Sequence, residues 1–298
     1  CHLYSRHTTP SNLCLGEALA AMEGTETANV SASGMGAITP VLLQLCGAGD
    51  HIVSSRTIYG GTYAFLKNFT PRLAIQTSFV DITNLEIVEA AITENTKVLY
   101  CESVSNPLLE VANIKGLAAL AKKYSLTLVV DNTFSPLSIS PIQLGADVVV
   151  HSLTKFINGS SDAVGGVVCG SQEFIDQLRS VIDGACMLLG STMDSLRASS
   201  ILKNLRTLHI RMKQHSYNAS YLANKFEADG IKTVYPGLES HPSHPLFTSM
   251  MNIEYGYGGM LTIDAGSLEK ANALMEAMQQ NNVGYLAVSL GFYKTLFS

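Results

Sequence analysis

The stretch from Ala146 to Lys155 constrains the fold most. Val148-Val149-Val150 is apolar at consecutive positions, so both faces of the strand it forms have to be buried, as in an inner strand of a parallel sheet. The run then passes into His151-Ser152-Leu153-Thr154-Lys155, and a small-residue connection follows at Gly165-Gly166. Burial at a strand end disfavours an ammonium and makes a neutral amine available as a nucleophile, the property that Schiff-base lysines use. Ser152 and Thr154 beside it are hydroxyl donors suited to a phosphate. A lysine at such a place also suits a structural reading in which it snorkels to water, so partners elsewhere in the chain have to decide.

Those partners come from an alternation of elements. The spacing predicts strands over 28–33, 51–55, 75–81, 97–102, 127–131 and 147–152, and helices over 11–23, 38–46, 62–69, 85–92 and 114–124. Strand and helix in turn imply an α/β fold: a mostly parallel sheet covered on both faces, with ligands at the carboxyl ends of its strands. The chemistry-bearing residues fall at those ends. Ser33-Gly34-Met35-Gly36 lies where a strand hands over to a helix, which suits a phosphate on backbone N–H groups and equally suits a plain tight turn. Tyr59-Gly60-Gly61 follows the second strand, and Glu102 and Asn106 follow the strand at 97–102. Asp131 closes Leu128-Val129-Val130, where a carboxylate is costly unless a donor or cation meets it. A pyridinium N–H is such a cation, which points to pyridoxal 5'-phosphate (PLP); an Asp capping the following turn is the other reading.

Beyond Gly170 the pattern turns helical, with helices expected over 172–182 and 195–214 and a solvated polar line of Lys203, Arg206, His209, Arg211 and Lys213. From 215 onward it is α+β: a helix to 228, strands over 231–235, 260–264 and 284–289, and a helix over 268–280. This divides the chain into a large domain over 1–205 and a smaller C-terminal domain over 206–298.

Composition excludes several function classes. A formal charge of −5 with no basic run argues against a nucleic-acid surface, and no apolar run reaches the roughly 20 residues that span a bilayer. The six cysteines, Cys1, Cys14, Cys46, Cys101, Cys169 and Cys186, are scattered without C-x-x-C spacing and read as reduced thiols of a cytoplasmic protein. His241 and His244 have no third ligand, and Pro242 and Pro245 argue against a regular helix there, so no metal is expected. The start at Cys1-His2-Leu3 is no signal peptide. Without an initiator methionine, and with an end inside the apolar stretch 293–297, residues are expected to be missing at both ends.

Lys155 with Ser152 and Thr154, Asp131 on its own strand, Ser33-Gly34-Met35-Gly36, Tyr4-Ser5-Arg6 and Tyr59-Gly60-Gly61-Thr62 together resemble the Cys/Met-metabolism family of fold-type I PLP enzymes. The resemblance runs along essentially the whole chain and is strongest to the methionine γ-lyase branch, particularly its plant-type members. Glu102-Ser103-Val104-Ser105-Asn106-Pro107, residues 255–260 and Ala287-Val288-Ser289-Leu290-Gly291 support it. The resemblance implies a sheet of about seven strands between helices. It implies that Lys155 joins the cofactor aldehyde, Asp131 pairs with the pyridine nitrogen and Tyr59 stacks on the ring, while Gly34, Met35, Ser152 and Thr154 hold the phosphate. It further implies that Tyr4 and Arg6 reach the phosphate of a neighbouring subunit, making a dimer the smallest active unit and a tetramer the expected assembly. Asn106, Val288 and Ser289 would lie at the substrate. Three departures accompany it: Thr9-Pro10-Ser11 stands where Asn-Pro-Thr is common, Gly61 stands where many bacterial members have cysteine, and the sequence stops before the arginine segment that grips the α-carboxylate.

The expected reaction is α,γ-elimination from L-methionine, giving methanethiol, 2-oxobutanoate and ammonia, with Lys155 moving protons and Tyr59 serving the departing thiolate. Cystathionine γ-lyase and O-acetylhomoserine sulfhydrylase activities are the rivals. Val288, where cystathionine γ-lyases tend to carry glutamate, favours an apolar thioether. A nicotinamide-dependent oxidoreductase is the reading from another class, and Ser54-Ser55-Arg56 offers no acid at the end of its second strand to support it.

Overall fold

The structure, a computed structural model, describes residues 4–298; Cys1, expected as a free thiol, lies outside the described residues. In the first half of the chain, α1 (Pro10–Glu23), β1 (Thr27–Ser31), α2 (Gly34–Leu45), β2 (His51–Ser55), α3 (Gly60–Ala64) and β3 (Gln76–Val80) lead into α4 (Leu85–Ala90), β4 (Thr96–Glu102), α5 (Ile114–Tyr124), β5 (Thr127–Asp131), β6 (Val148–Ser152) and β7 (Gly166–Gly170). The seven strands form one sheet in the order β1-β7-β6-β5-β4-β2-β3. Adjacent pairs from β6 through β5, β4 and β2 to β3 are parallel, and β7 alone runs antiparallel to both of its neighbours. This is the mostly parallel, helix-covered sheet of the fold-type I enzymes.

Period-two alternation sorts the side chains. Val149, Val130 and Leu99 face a core shared with Leu15, Leu19 and Leu117 of α1 and α5. Val148, Val150, Val129, Val98 and Tyr100 face the other side, with Ala37, Ile38 and Leu42 of α2. The same alternation puts Glu102, Asp131 and Ser152, the last residues of β4, β5 and β6, on the face that α2 covers. Of these three polar strand ends, Ser152 lies against the start of that helix at Gly34, and Glu102 meets the start of α3 at Tyr59.

β7 is the strand that periodicity does not predict. It pairs with β6 from Val149↔Cys169 to Ser152↔Gly166, so the glycine pair expected as a loop opens a strand. A side chain at Gly166 would collide with the Ser33 carbonyl, which is why the close approach of β7 to the start of α2 requires glycine.

After β7 come α6 (Gln172–Arg179), α7 (Ala185–Leu189), α8 (Ser195–Leu205), α9 (Leu208–Ala228), β8 (Thr233–Val234), α10 (His244–Met250), β9 (Thr262–Ile263), α11 (Leu268–Gln280), β10 (Tyr285–Leu286) and β11 (Leu296–Phe297). The continuous helix expected over 195–214 is broken at Arg206–Thr207, and α9 runs on through 228. Helix α10 exists despite Pro245 because the proline sits in its first turn, where the missing N–H has no intrahelical partner to lose. Ala219, Ala223, Tyr235 and Leu238 form a separate small core with Tyr257 and Leu261. Among the described residues no helix is long and apolar enough to cross a membrane.

Candidate active site

The chain turns immediately after β6. Lys155 N donates to Ser152 O at 3.3 Å, and Gly159 N donates to Lys155 O at 2.9 Å. From this turn Lys155 Nζ donates to Ser289 Oγ at 3.0 Å. Burial pulls the amine below the ordinary lysine value, the direction that raises its neutral, nucleophilic fraction. The turn is held from behind by Arg211 of α9, whose guanidinium donates to the carbonyl of Phe156, to Ile157 O at 2.8 Å and to Asn204 O at 3.2 Å. Arg211 was expected on a solvated charge line. It is instead partly buried as a clamp on three carbonyls, because the face of α9 that it occupies packs on the turn after Lys155.

The start of α2 forms a cradle. Ser33 is the N-cap, and its Oγ accepts from Gly36 N at 2.9 Å, so Gly34 and Met35 keep N–H groups without helical acceptors. A Cβ on Gly34 would lie 2.9 Å from the Ser152 Cβ, so the helix start and the end of β6 approach as closely as backbone allows. Thr154 Oγ1 accepts from Gly165 N at 3.1 Å, fixing the loop opposite. Two free amides at a helix N-terminus, with the Ser152 hydroxyl facing them, fit a phosphate.

Asp131 and Glu102 stand side by side as register partners on β5 and β4, both buried. Asp131 Oδ1 accepts from Thr133 N at 3.0 Å and Thr133 Oγ1 at 2.5 Å, which leaves Oδ2 for another donor. Thr133 Oγ1 also accepts from Ser152 N at 2.8 Å, so one hydroxyl couples the carboxylate to the cradle. Burial raises the Asp131 carboxyl above its ordinary value, with the Thr133 hydrogen bonds acting against it. Burial and the neighbouring Asp131 push Glu102 up to about 8. Two buried acids at adjacent strand ends call for a cationic or protonated donor. Glu102 Oε1 accepts from Tyr59 N at 2.6 Å, and Tyr59 presents a half-exposed ring at the start of α3. A flat ring with a phosphate at one end, a protonated nitrogen at the other and an aldehyde toward Lys155 fits these groups.

Lys155, Asp131, Tyr59, Gly34, Met35, Ser152, Thr154 and Ser289 thus come from strand ends, helix starts and one late loop. Asn106 sits in the loop after β4, joined to Pro107 by a cis peptide bond. Three expected residues do not point into this cluster within the one chain, and two of them, Tyr4 and Arg6, are expected at a neighbouring subunit. Val288 is 99% exposed, because the backbone turns its neighbours Ser289 and Leu290 inward and leaves Val288 pointing away. Tyr4 and Arg6 lie on a flank of the same chain, where the Arg6 guanidinium packs over the Tyr4 ring and Arg6 Nη1 donates to Met187 O at 3.1 Å. His241 and His244 are taken up by local contacts, His244 Nδ1 with Pro236 O at 2.8 Å and its ring stacked on Tyr257. No group of metal-ligating side chains occurs among the described residues.

Sequence reasoning sets Arg211 on a solvated line, places Glu102 at a strand end without a specific role, and gives His151 none. His151 Nε2 meets Glu23 Oε1 at 2.7 Å in a fully buried pair on the α1 face of the sheet. The one signal for it was a histidine inside an apolar strand and a glutamate on the apolar side of α1.

Comparison with known proteins points to the same cofactor. Residues 1–298 match the Cys/Met metabolism PLP-dependent enzyme family. A methionine gamma-lyase of Arabidopsis thaliana is 49% identical over 300 residues, covering 100% of this chain and 68% of that protein. An O-succinylhomoserine sulfhydrylase of Pseudomonas aeruginosa is 38% identical, covering 99% of this chain and 72% of its own length. Among solved structures, cystathionine gamma-lyase from Lactobacillus plantarum complexed with L-serine superimposes with a TM-score of 0.90 at 31% identity, covering 98% of this chain and 75% of that one.

Proposed function

We propose, from the premise that the chain belongs to the Cys/Met metabolism family of PLP-dependent enzymes, that it is a carbon–sulfur lyase carrying out α,γ-elimination of L-methionine to methanethiol, 2-oxobutanoate and ammonia. The observation that carries the chemistry is the half-buried Lys155 amine on Ser289 Oγ, at the strand end beside Asp131. The choice of methionine rests on 49% identity along the whole chain to a methionine gamma-lyase.

Lys155 would hold PLP covalently, Asp131 would meet its ring nitrogen, Tyr59 would cover its face, and the Gly34 and Met35 amides with Ser152 and Thr154 would take its phosphate. Bound there, PLP supplies an electrophilic carbon for the substrate amine and a ring that accepts the electron pair left at Cα. The remaining steps belong to side chains. Asp131, whose Oδ1 accepts from Thr133 N and Oγ1, would face the ring nitrogen and favour its protonated form. The Lys155 amine would take the proton from Cα, hand it on, and only then take one from Cβ, with Ser289 Oγ fixing its reach. Tyr59 delivers a proton to the departing thiolate. Asn106 and Ser289 position the substrate carboxylate.

The active unit in this reading is a homo-oligomer, at least a dimer and expected to be a tetramer, because Tyr4 and Arg6 lie on the flank of their own chain and would serve a neighbouring subunit. The break at Arg206–Thr207 supports a boundary between a large domain ending at 205 and a smaller one from 206. A cytoplasmic location belongs to the same reading. Relative kcat/KM on L-methionine, cystathionine and O-acetylhomoserine tests the assignment: methionine should lead, and a clear preference for either rival would replace it.

A further inference from the structure

We propose that Glu102 is a positioning residue that holds the Tyr59 ring over the cofactor and ties it to the strand end next to the one that carries Asp131. The inference deepens the reading above and rests on Tyr59 as the residue that covers the ring.

The segment bearing Tyr59 is fixed on its helical side, where Tyr63 N donates to Tyr59 O at 3.0 Å, and its N–H side is left to Glu102. Tyr59 stands at the boundary of α3 with non-helical backbone, makes no side-chain capping bond, and is followed by two glycines. Its N–H has one acceptor, Glu102 Oε1 at 2.6 Å. The ring packs down on Gly61, where a Cβ would lie 2.6 Å from Tyr59 Cε1 and 3.3 Å from Met35 Sδ. Backbone and ring are thus held from two sides: Glu102 from the sheet, and the bare Gly61 backbone from the helix.

Glu102 has no ion-pair partner among the described residues, and it is 8% exposed. A carboxyl buried next to a second carboxyl is unfavourable unless it makes a hydrogen bond that the fold needs. The Tyr59 N–H supplies such a bond, and the backbone N–H of Asn106 also lowers the cost of the carboxylate. Glu102 also ends β4, so one side chain joins that strand end to the Tyr59 segment and to the Asn106 backbone in the loop that follows.

The test is PLP affinity of the apoprotein, measured by absorbance titration, in Glu102→Ala, Glu102→Gln, Tyr59→Ala and the Glu102→Ala/Tyr59→Ala double variant. Glu102→Ala should weaken PLP binding about tenfold, the order expected for a hydrogen bond to a carboxyl group. Glu102→Gln keeps an acceptor of the same reach and should restore affinity to within about threefold of the parent. In the Tyr59→Ala background the Glu102→Ala change should add nothing, since no ring is left to position. If Tyr59→Ala leaves affinity unchanged, the reading of Tyr59 fails and takes this one with it. If Tyr59→Ala weakens binding while Glu102→Ala has no effect, or its effect adds in full to the double variant, Tyr59 stands and the role given to Glu102 is wrong.

Discussion

Lys155 Nζ and Ser289 Oγ are 3.0 Å apart, joined by a hydrogen bond that spans 134 residues of sequence and brings the late loop onto the end of β6. The contact depends on Gly291, at φ 80°, where a side chain would collide with the backbone of Phe156. The late loop and the lysine turn therefore fit only as backbone against backbone.

The first expected outcome concerns that bond. Ser289→Ala should lower kcat by about tenfold, because the amine loses the hydroxyl that fixes its reach, while PLP remains bound. Steady-state kinetics together with the absorbance of bound cofactor measures both quantities, and loss of cofactor along with activity would count against the assigned role.

The phosphate cradle predicts a contrast between two glycines. Gly34→Ala places a methyl 2.9 Å from the Ser152 Cβ and should weaken PLP binding to the apoprotein by tenfold or more, on the order of 1.4 kcal/mol. Gly60→Ala meets nothing within 4 Å and should leave PLP affinity nearly unchanged. Titration of the two apoproteins separates a specific cradle from general sensitivity of helix starts.

Glu102 makes stability depend on pH. Its carboxyl in the folded chain is raised to about 8, chiefly by burial and then by Asp131, whereas the unfolded chain releases that proton near the ordinary carboxylate value. The folded state thus binds the proton more tightly between those limits. Its contribution is fully present in acid and is lost as pH rises toward 8, at up to about 1.4 kcal/mol per pH unit. Asp131, also raised, acts in the same direction. Urea midpoints of the apoprotein at pH 5 and pH 8 should show the loss, and Glu102→Gln should flatten it.

Arg211→Ala should destabilise the chain by roughly 2–3 kcal/mol, since it leaves the Phe156 and Ile157 carbonyls without their charged donor. Urea unfolding measures this. Arg211→Lys should recover only part of the loss, because a single ammonium cannot span both carbonyls as the fork does.

Much of this was legible in sequence for a physical reason. β2 and β5 match their expected spans, as do α5 and α11, because apolar periodicity there coincides with clear stops such as Ser125 after α5. The site residues at the ends of β4, β5 and β6 were legible because polar groups closing apolar strands are costly without a ligand. β7 escaped because Gly166 and Gly170 at its ends look like turn residues, and their role appears only when Ser33 is seen packed against the strand. Arg211 escaped because a charge in a helical polar line gives no sign that its face meets another segment's carbonyls. Val288 follows a related rule: neighbours in a loop do not share a direction, and Ser289 turns inward while Val288 faces solvent.

The central claim is that the Lys155 amine holds the cofactor. Borohydride treatment of the PLP-loaded enzyme, followed by peptide mapping by mass spectrometry, tests it most directly. The account predicts a phosphopyridoxyl group fixed on the peptide containing Lys155, and none in Lys155→Ala. The label on a different lysine, or a Lys155→Ala protein labelled as well as the parent, would contradict it.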